Sequence, residues 1–293
     1  MSKARFFREL IARQQPIVTP TAHDALSARM LQLLGFDAIA LGGSSMLAAR
    51  YGLPDIGLAG FAEMLETARD IVTSVDVPAV VDADDGYGDV KSVVRTVHAY
   101  EEIGVAALIL EDQRRAAKRP GDSAASSVVD IPEMRAKLEA AVRFRKVGDT
   151  MVVARTDSYA LEGADGAIRR CEAYLKAGAD GIFVPGVTRH EDLAAIAGAF
   201  PGVFKLMVQV EGSETPWLSP GELFSLGYNQ IAYPSYIMNR MLSALESACQ
   251  ALSGAASARM APPVLDDLAA VRARFNEAVQ ITKWNAFAIP EAS

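Results

Sequence analysis

The chain has 293 residues, enough for one large barrel or two modest domains, and is 51% hydrophobic and 22% charged, the make-up of a globular protein with a sizeable core. Its formal net charge of −7 argues against nucleic acid as a partner, because phosphates need a basic face. Two cysteines, Cys171 and Cys249, form neither a disulfide framework nor a metal-binding spacing, and no apolar stretch is long enough to span a membrane.

Met1 to Gln15 is charged and polar-interrupted, unlike a signal peptide, so a reduced, cytoplasmic protein is expected. Ser2 to Arg13 has the period of a short amphipathic helix, and Pro16 to Pro20 that of a brief strand. A helix is predicted over His23 to Leu34, closed by Gly35, and a strand over Phe36 to Leu41 that ends in the turn Gly42-Gly43-Ser44-Ser45. The alternation continues with helix Phe61 to Val75, strand Pro78 to Val81, helix Val90 to Ile103 and strand Ala106 to Leu110. After a long polar interval, Gln113 to Val129, come helix Pro132 to Lys146, strand Met151 to Ala154, helix Gly166 to Lys176 and strand Gly181 to Val184. The run closes with helix Glu191 to Phe200, strand Phe204 to Val208, helix Pro220 to Leu226, strand Gln230 to Ala232 and helix Tyr236 to Leu252. Eight uninterrupted strand–helix units predict a single (β/α)₈ barrel over residues 1–253. Residues 254–293 read as a linker and one more amphipathic helix, Leu265 to Ile281, with Leu268, Val271, Phe275 and Val279 on one stripe. That stripe must be buried either on its own barrel or on a neighbouring subunit.

The chemistry-bearing residues gather at the C-terminal ends of the strands, where barrel enzymes place their active sites. Pro78 to Gly88 runs from a β-branched strand into Asp82, Asp84 and Asp85, then two glycines around Tyr87. Carboxylates so close are either solvated or gathered round a cation, and oxygen ligands favour Mg²⁺ or Mn²⁺. Gly43-Ser44-Ser45 follows strand two with Asp55 beyond it, Glu111-Asp112 follows strand four, and Arg155 and Asp157 follow strand five. A cation among acids, an arginine and a turn offering backbone N–H groups suit a substrate that carries a carboxylate.

In that order, Leu41-Gly-Gly-Ser-Ser45, Tyr51-Gly-Leu-Pro-Asp55, Asp82-Ala-Asp-Asp-Gly-Tyr-Gly88, Leu110-Glu-Asp-Gln113, Lys118-Arg-Pro-Gly121 and Ala154-Arg-Thr-Asp157 resemble the isocitrate lyase / phosphoenolpyruvate mutase superfamily. Thr215-Pro-Trp217 and Tyr233-Pro234 add to the resemblance, which spans Phe6 to Leu252 and is strongest to the short bacterial-type members. It implies a barrel whose extra C-terminal helix is exchanged between paired subunits of a homotetramer. It implies Mg²⁺ held directly by Asp82, with Asp55, Asp84 and Glu111 round its waters, so Asp82, Asp84 and Glu111 are the candidate metal ligands. Gly43, Ser44, Ser45 and Arg155 are the candidate substrate-binding residues, and Arg155, Lys118, Tyr87 and Asp55 the candidate catalytic ones. Gln113 to Val129 would be the gating loop that delivers Lys118.

Several positions depart from the family's lyases. Their gating-loop cysteine, the acid that protonates the departing enolate, is Pro120 here, and the histidine after it is Asp122. Neither Cys171 nor Cys249 can replace it, and both are expected in the core. Pro185 stands where the lyases have a glutamate, Val208 for an asparagine and Ala40 for a tyrosine. Retro-aldol cleavage needs a positioned base and acid, whereas decarboxylation of a 2-oxo diacid needs no base. Gly181 to Val187 is also similar to the family's oxaloacetate decarboxylases. The expectation is therefore a Mg²⁺-dependent lyase decarboxylating oxaloacetate-like substrates. The alternatives are a carbon–carbon lyase of the methylisocitrate/dimethylmalate type with Asp122, Ser123 or Tyr87 as acid, a phosphonomutase-like enzyme, or a 2-oxo acid binder without turnover.

Overall fold

The computed structural model describes residues 1–118 and 127–287. The elements run α1 (Lys3–Ala12), β1 (Ile17–Pro20), α2 (Ala25–Leu33), β2 (Ile39–Leu41), α3 (Gly43–Tyr51), α4 (Phe61–Val72), β3 (Ala79–Asp82), α5 (Val90–Glu102) and β4 (Ala107–Glu111). They continue with α6 (Ile131–Phe144), β5 (Met151–Arg155), α7 (Tyr159–Lys176), β6 (Gly181–Phe183), α8 (His190–Ala199), β7 (Phe204–Val208), α9 (Pro220–Leu226) and β8 (Gln230–Tyr233). Then follow α10 (Tyr236–Ala258), α11 (Leu268–Ala278) and α12 (Ile281–Asn285). Eight parallel strands, in the order β1-β8-β7-β6-β5-β4-β3-β2, form a (β/α)₈ barrel, and a bridge between Thr21 and Ala40 brings its two ends together.

The two-residue period of the strands sorts their side chains between lumen and helix layer. In β4, Leu108 and Leu110 pack into the outer core with Tyr100 and Met134, while Ala107 and Ile109 fill the lumen with Val80, Val153 and Leu206. The floor of the lumen is plugged by α1, whose Phe7 meets Phe204 edge-on at 5.8 Å. One step up each strand from Val80, Ile109 and Val153 come Asp82, Glu111 and Arg155. The same alternation that builds the core therefore aims these three charges into the barrel mouth.

Three stretches differ from the sequence reading. The turn expected at Gly42 to Ser45 opens a helix, α3, closed by Gly52 in the left-handed conformation. Helix α7 starts at Tyr159, ahead of the expected Gly166, and kinks at Gly163 (φ 68°, ψ −174°). The expected linker after Ser253 is helical to Ala258, and the last helix is broken in two at Gln280, itself left-handed. Of the stripe on that helix, Val271 and Phe275 are exposed, and α11 meets its own barrel through the buried Ala278, whose carbonyl accepts a hydrogen bond from Arg29. Cys171 lies in the core as expected, but Cys249 is exposed on α10. Among the described residues, no helix is long and apolar enough to cross a membrane.

Candidate active site

Beyond β3 the backbone turns sharply through left-handed conformations at Asp84, Gly86 and Tyr87 (φ 49°, 82° and 61°). A Cβ at Gly86 would also run into Val93, so only glycine fits. The turn folds Asp84 back over its own strand, where its N–H donates to Asp82 Oδ1 (3.0 Å) and its carbonyl accepts from Glu111 N–H (2.9 Å). Carboxylate oxygens of Asp82, Asp84 and Glu111 consequently lie within 4.8 Å of one another.

Three cations from this chain answer the cluster, the first of them Arg115, whose Nη1 is 3.1 Å from Asp84 Oδ2. Lys118 Nζ is 2.9 Å from Glu111 Oε1 and 3.8 Å from Asp55 Oδ1, and pairs with Asp84. Arg155 Nη1 is 3.1 Å from Glu111 Oε2 and 3.2 Å from Asp82 Oδ2. Even so, both Glu111 oxygens are buried without a properly oriented hydrogen-bond donor among the described residues. Burial pushes Asp82 up to about 6 against the pull of Arg155, and raises Glu111 well above the usual carboxylate range. Burial raises Asp55 as well. At Asp84 the burial effect is outweighed by Lys118 and Arg115, so its carboxyl is held low. Orphaned buried oxygens and hard oxygen donors on three converging acids fit a divalent cation.

Arg155 is held rigidly: its Nε and Nη2 donate to the two carboxylate oxygens of Asp157, both at 2.8 Å. Asp157 thus orients the arginine rather than capping a helix. Across the mouth, the first amides of α3 are free of helical partners, as at every helix start. Asp55 packs against them so closely that a Cβ on Gly43 would sit 2.7 Å from Asp55 Oδ2.

These groups open onto a cavity of about 990 Å³. Asp55, Asp82, Arg155, Gly43 and Ser44 line it, as the sequence suggested, with Asp84, Glu111 and Lys118 packed beside them. Two sequence-predicted site residues turn away. Ser45 lies on the far side of α3 and donates its hydroxyl to the Pro234 carbonyl (2.9 Å), tying α3 to β8. The left-handed backbone of Tyr87 swings its ring onto Phe61 (5.6 Å, edge-on), with Arg115 above it and its hydroxyl buried. His23 is buried beside the exit of β1, outside the cavity lining.

Pro185 and Val208 line the opposite side with Phe183 and Leu206, giving an apolar wall below the exits of β6 and β7, while Ala40 lines the cavity from β2, on the charged side. Sequence reasoning missed Tyr159, Arg189 and Asp192 at the rim, where Tyr159 OH donates to Asp192 Oδ2 (2.6 Å) and Arg189 pairs with Asp192. Their one legible signal is their position in the first turns after strands five and six. Arg119, Pro120, Asp122 and Ser123 lie outside the described residues.

Comparisons with known proteins agree with this architecture. A family model described as phosphoenolpyruvate phosphomutase matches residues 7–253. The chain is 41% identical over 235 residues to 2,3-dimethylmalate lyase of Eubacterium barkeri, covering 80% of this chain and 81% of that one. To oxaloacetate decarboxylase of Paraburkholderia xenovorans it is 37% identical over 199 residues, covering 68% and 66%. Among solved structures, oxaloacetate acetylhydrolase in complex with the product oxalate superposes with a TM-score of 0.86 at 26% identity, covering 97% of this chain and 98% of that one.

Proposed function

The chain belongs to the phosphoenolpyruvate mutase / isocitrate lyase superfamily, and from that premise we propose that it is a carbon–carbon lyase for small dicarboxylates that decarboxylates a 2-oxo diacid of the oxaloacetate kind. The observation that carries this reading is the two-sided cavity, with charge concentrated under β2 to β5 and an apolar wall under β6 and β7. Cleaving a 2-hydroxy diacid needs a base for its hydroxyl proton and an acid for the departing enolate. On the apolar side Pro185 and Val208 offer neither, and at the rim Tyr159 is bonded to Asp192, which Arg189 also holds.

Loss of CO₂ from a 2-oxo diacid needs no base, only a sink for the electrons it leaves behind and a proton, which solvent can supply, to turn the enolate into the 2-oxo acid product. A divalent cation, Mg²⁺ with Mn²⁺ as the substitute, would supply that sink as a Lewis acid when bound among Asp82, Asp84 and Glu111. Arg155, whose outer Nη2 hydrogen lies beyond the Asp157 clasp and whose Nη1 faces Asp82 and Glu111, would receive the carboxylate next to the 2-oxo group. The free amides of Gly43 and Ser44 would hold its other oxygen. Asp55, pinned against the helix start, would keep the ammonium of Lys118 close to the reacting end. The apolar wall would exclude water from the face where CO₂ departs.

A second reading, cleavage of an alkyl-substituted malate, is favoured by the same wall, which would accept methyl groups, and by the 41% identity to a dimethylmalate lyase. Pyruvate release from oxaloacetate, with Mg²⁺ and with chelator, set beside 2,3-dimethylmalate under the same conditions, separates the two. Metal-dependent turnover of oxaloacetate supports decarboxylation; turnover of dimethylmalate alone replaces it with the second reading. Binding of oxalate without turnover of either would leave a 2-oxo acid binder.

The reading extends to a cytoplasmic homotetramer in which C-terminal helices are exchanged between paired subunits. Its support is the exposure of Leu242, Leu245, Leu252 and Phe275 along α10 and α11, apolar surface that a second copy would cover. Light scattering behind a sizing column tests the stoichiometry, and a monomer would discard it.

A further inference from the structure

Behind the Asp157 clasp lies a buried polar group that no step above uses. Asp112, fully buried, follows directly after Glu111 and points away from the cavity. Its Oδ1 accepts from Asp157 N–H (3.0 Å), and its Oδ2 from Thr156 Oγ1 (2.7 Å) and Tyr174 OH (2.7 Å). The cation facing it is Arg170 on α7, 6% exposed, with Nη1 at 3.3 Å from Oδ2. The same nitrogen donates to the Val129 carbonyl (2.8 Å) and to Tyr174 (3.2 Å), while Nε and Nη2 grip Glu162. A carboxylate this deeply buried costs several kcal/mol unless charge and hydrogen bonds compensate it, so losing a partner is felt by the rest.

We infer that Arg170 and Tyr174, acting through Asp112, are positioning residues for Arg155, and thereby determine how tightly the site holds a 2-oxo carboxylate. The path is short and continuous. Arg170 and Tyr174 fix Asp112; Asp112 holds the backbone of Asp157 and the side chain of Thr156; and Asp157 presents both its oxygens to Arg155. Arg170 also binds the residue that resumes the chain after the 113–128 segment, whose ends are paired by the Gln113–Val128 bridge. The carboxylate-binding arginine and the base of that segment therefore share one anchor. Neither Arg170 nor Tyr174 lines the cavity, so their effect on ligand is indirect, and the path through Asp112 and Asp157 carries it to Arg155.

This inference rests on the reading of Arg155 as the carboxylate receptor, and its test separates the two. In the full-length protein, oxalate affinity is measured by calorimetry at saturating Mn²⁺, Mn²⁺ affinity is measured alone, and solvent exchange of the Arg155 Nε–H is followed by ¹⁵N NMR, its signal assigned by its loss in Arg155→Lys. Tyr174→Phe, which removes one donor and no volume, is expected to weaken oxalate about five- to tenfold with Mn²⁺ affinity held within about twofold. Arg170→Met is expected to weaken it further, about thirtyfold or more, and Arg170→Lys to recover part of that loss. Exchange of the Arg155 Nε–H is expected to quicken in the same order, and KM to rise more than kcat falls. Unchanged exchange in a folded Tyr174→Phe protein overturns the relay, as does equal weakening of oxalate and Mn²⁺. If Arg170→Met does not fold, Tyr174→Phe and Arg170→Lys carry the test. A wild-type protein that binds no oxalate would discard the substrate reading, while the exchange rates still judge the relay.

Discussion

The two halves of the barrel mouth are built from the same strand–helix unit yet have opposite character. Under β2 to β5, three acids, Arg155 and Lys118 crowd together in a space that desolvates them all; under β6 and β7 the same strand positions carry Phe183, Pro185, Leu206 and Val208. On the proposed reading the lesson is a division of labour: one half would supply charge that responds to charge developing in a substrate, and the other dryness that strengthens it. That contrast can be broken from either side.

The largest effect is expected on the charged side. Asp82→Ala removes the acid of the cluster that both lines the cavity and pairs with Arg155, and metal-dependent turnover should drop by about a thousandfold or more, with the melting temperature little changed. Full activity in that variant, or in wild-type enzyme stripped by chelator, would end the assignment of a metal to this cluster. Next comes Arg155→Lys, in which one ammonium replaces the fork held by Asp157. KM should rise about ten- to a hundredfold while metal affinity stays nearly constant, and equal losses of both would contradict the division of roles.

A subtler expectation concerns protons. Burial holds Asp82 at about 6, above an exposed aspartate at about 4, so the folded protein binds that proton more tightly than the unfolded chain does. Stability without metal should therefore fall as pH rises from about 4 through 6. A divalent ion must displace the same proton, so its affinity should rise over that interval, by at most about tenfold per pH unit for each proton displaced. Melting curves across this range should fall with chelator and flatten with saturating Mn²⁺; parallel curves would refute the link. The smallest effect belongs to the apolar wall. Val208→Thr adds one hydroxyl of nearly equal volume and should lower oxaloacetate turnover only about two- to fivefold. A far larger loss would mean that this wall takes part in the chemistry directly.

Much of this arrangement could be read before any coordinates. The alternation of strand and helix is strong enough to count, and strand period alone sends Asp82, Glu111 and Arg155 inward once the strands are placed. What failed was side-chain direction off the strands. Ser45 faces β8 because it falls on the wrong side of a helix that Gly42, Gly43 and Ser44 disguised as a turn. Tyr87 looked poised between two glycines, but its own left-handed φ reverses its aim. Tyr159 and Asp192 were invisible because their pairing joins loops after different strands, a proximity that no local pattern encodes. The break at Gln280, in a residue with no special liking for left-handed backbone, also left no trace.

Lys118 carries one more consequence. Asp55, Asp84 and Glu111 converge on an ammonium tethered to the same polypeptide, so the chain brings its own counter-ion to the acid cluster at the barrel mouth. Reaching the native shape then would not have to wait for ion supply, and on the proposed reading loading would be an exchange of one positive guest for another instead of the filling of a bare, self-repelling nest.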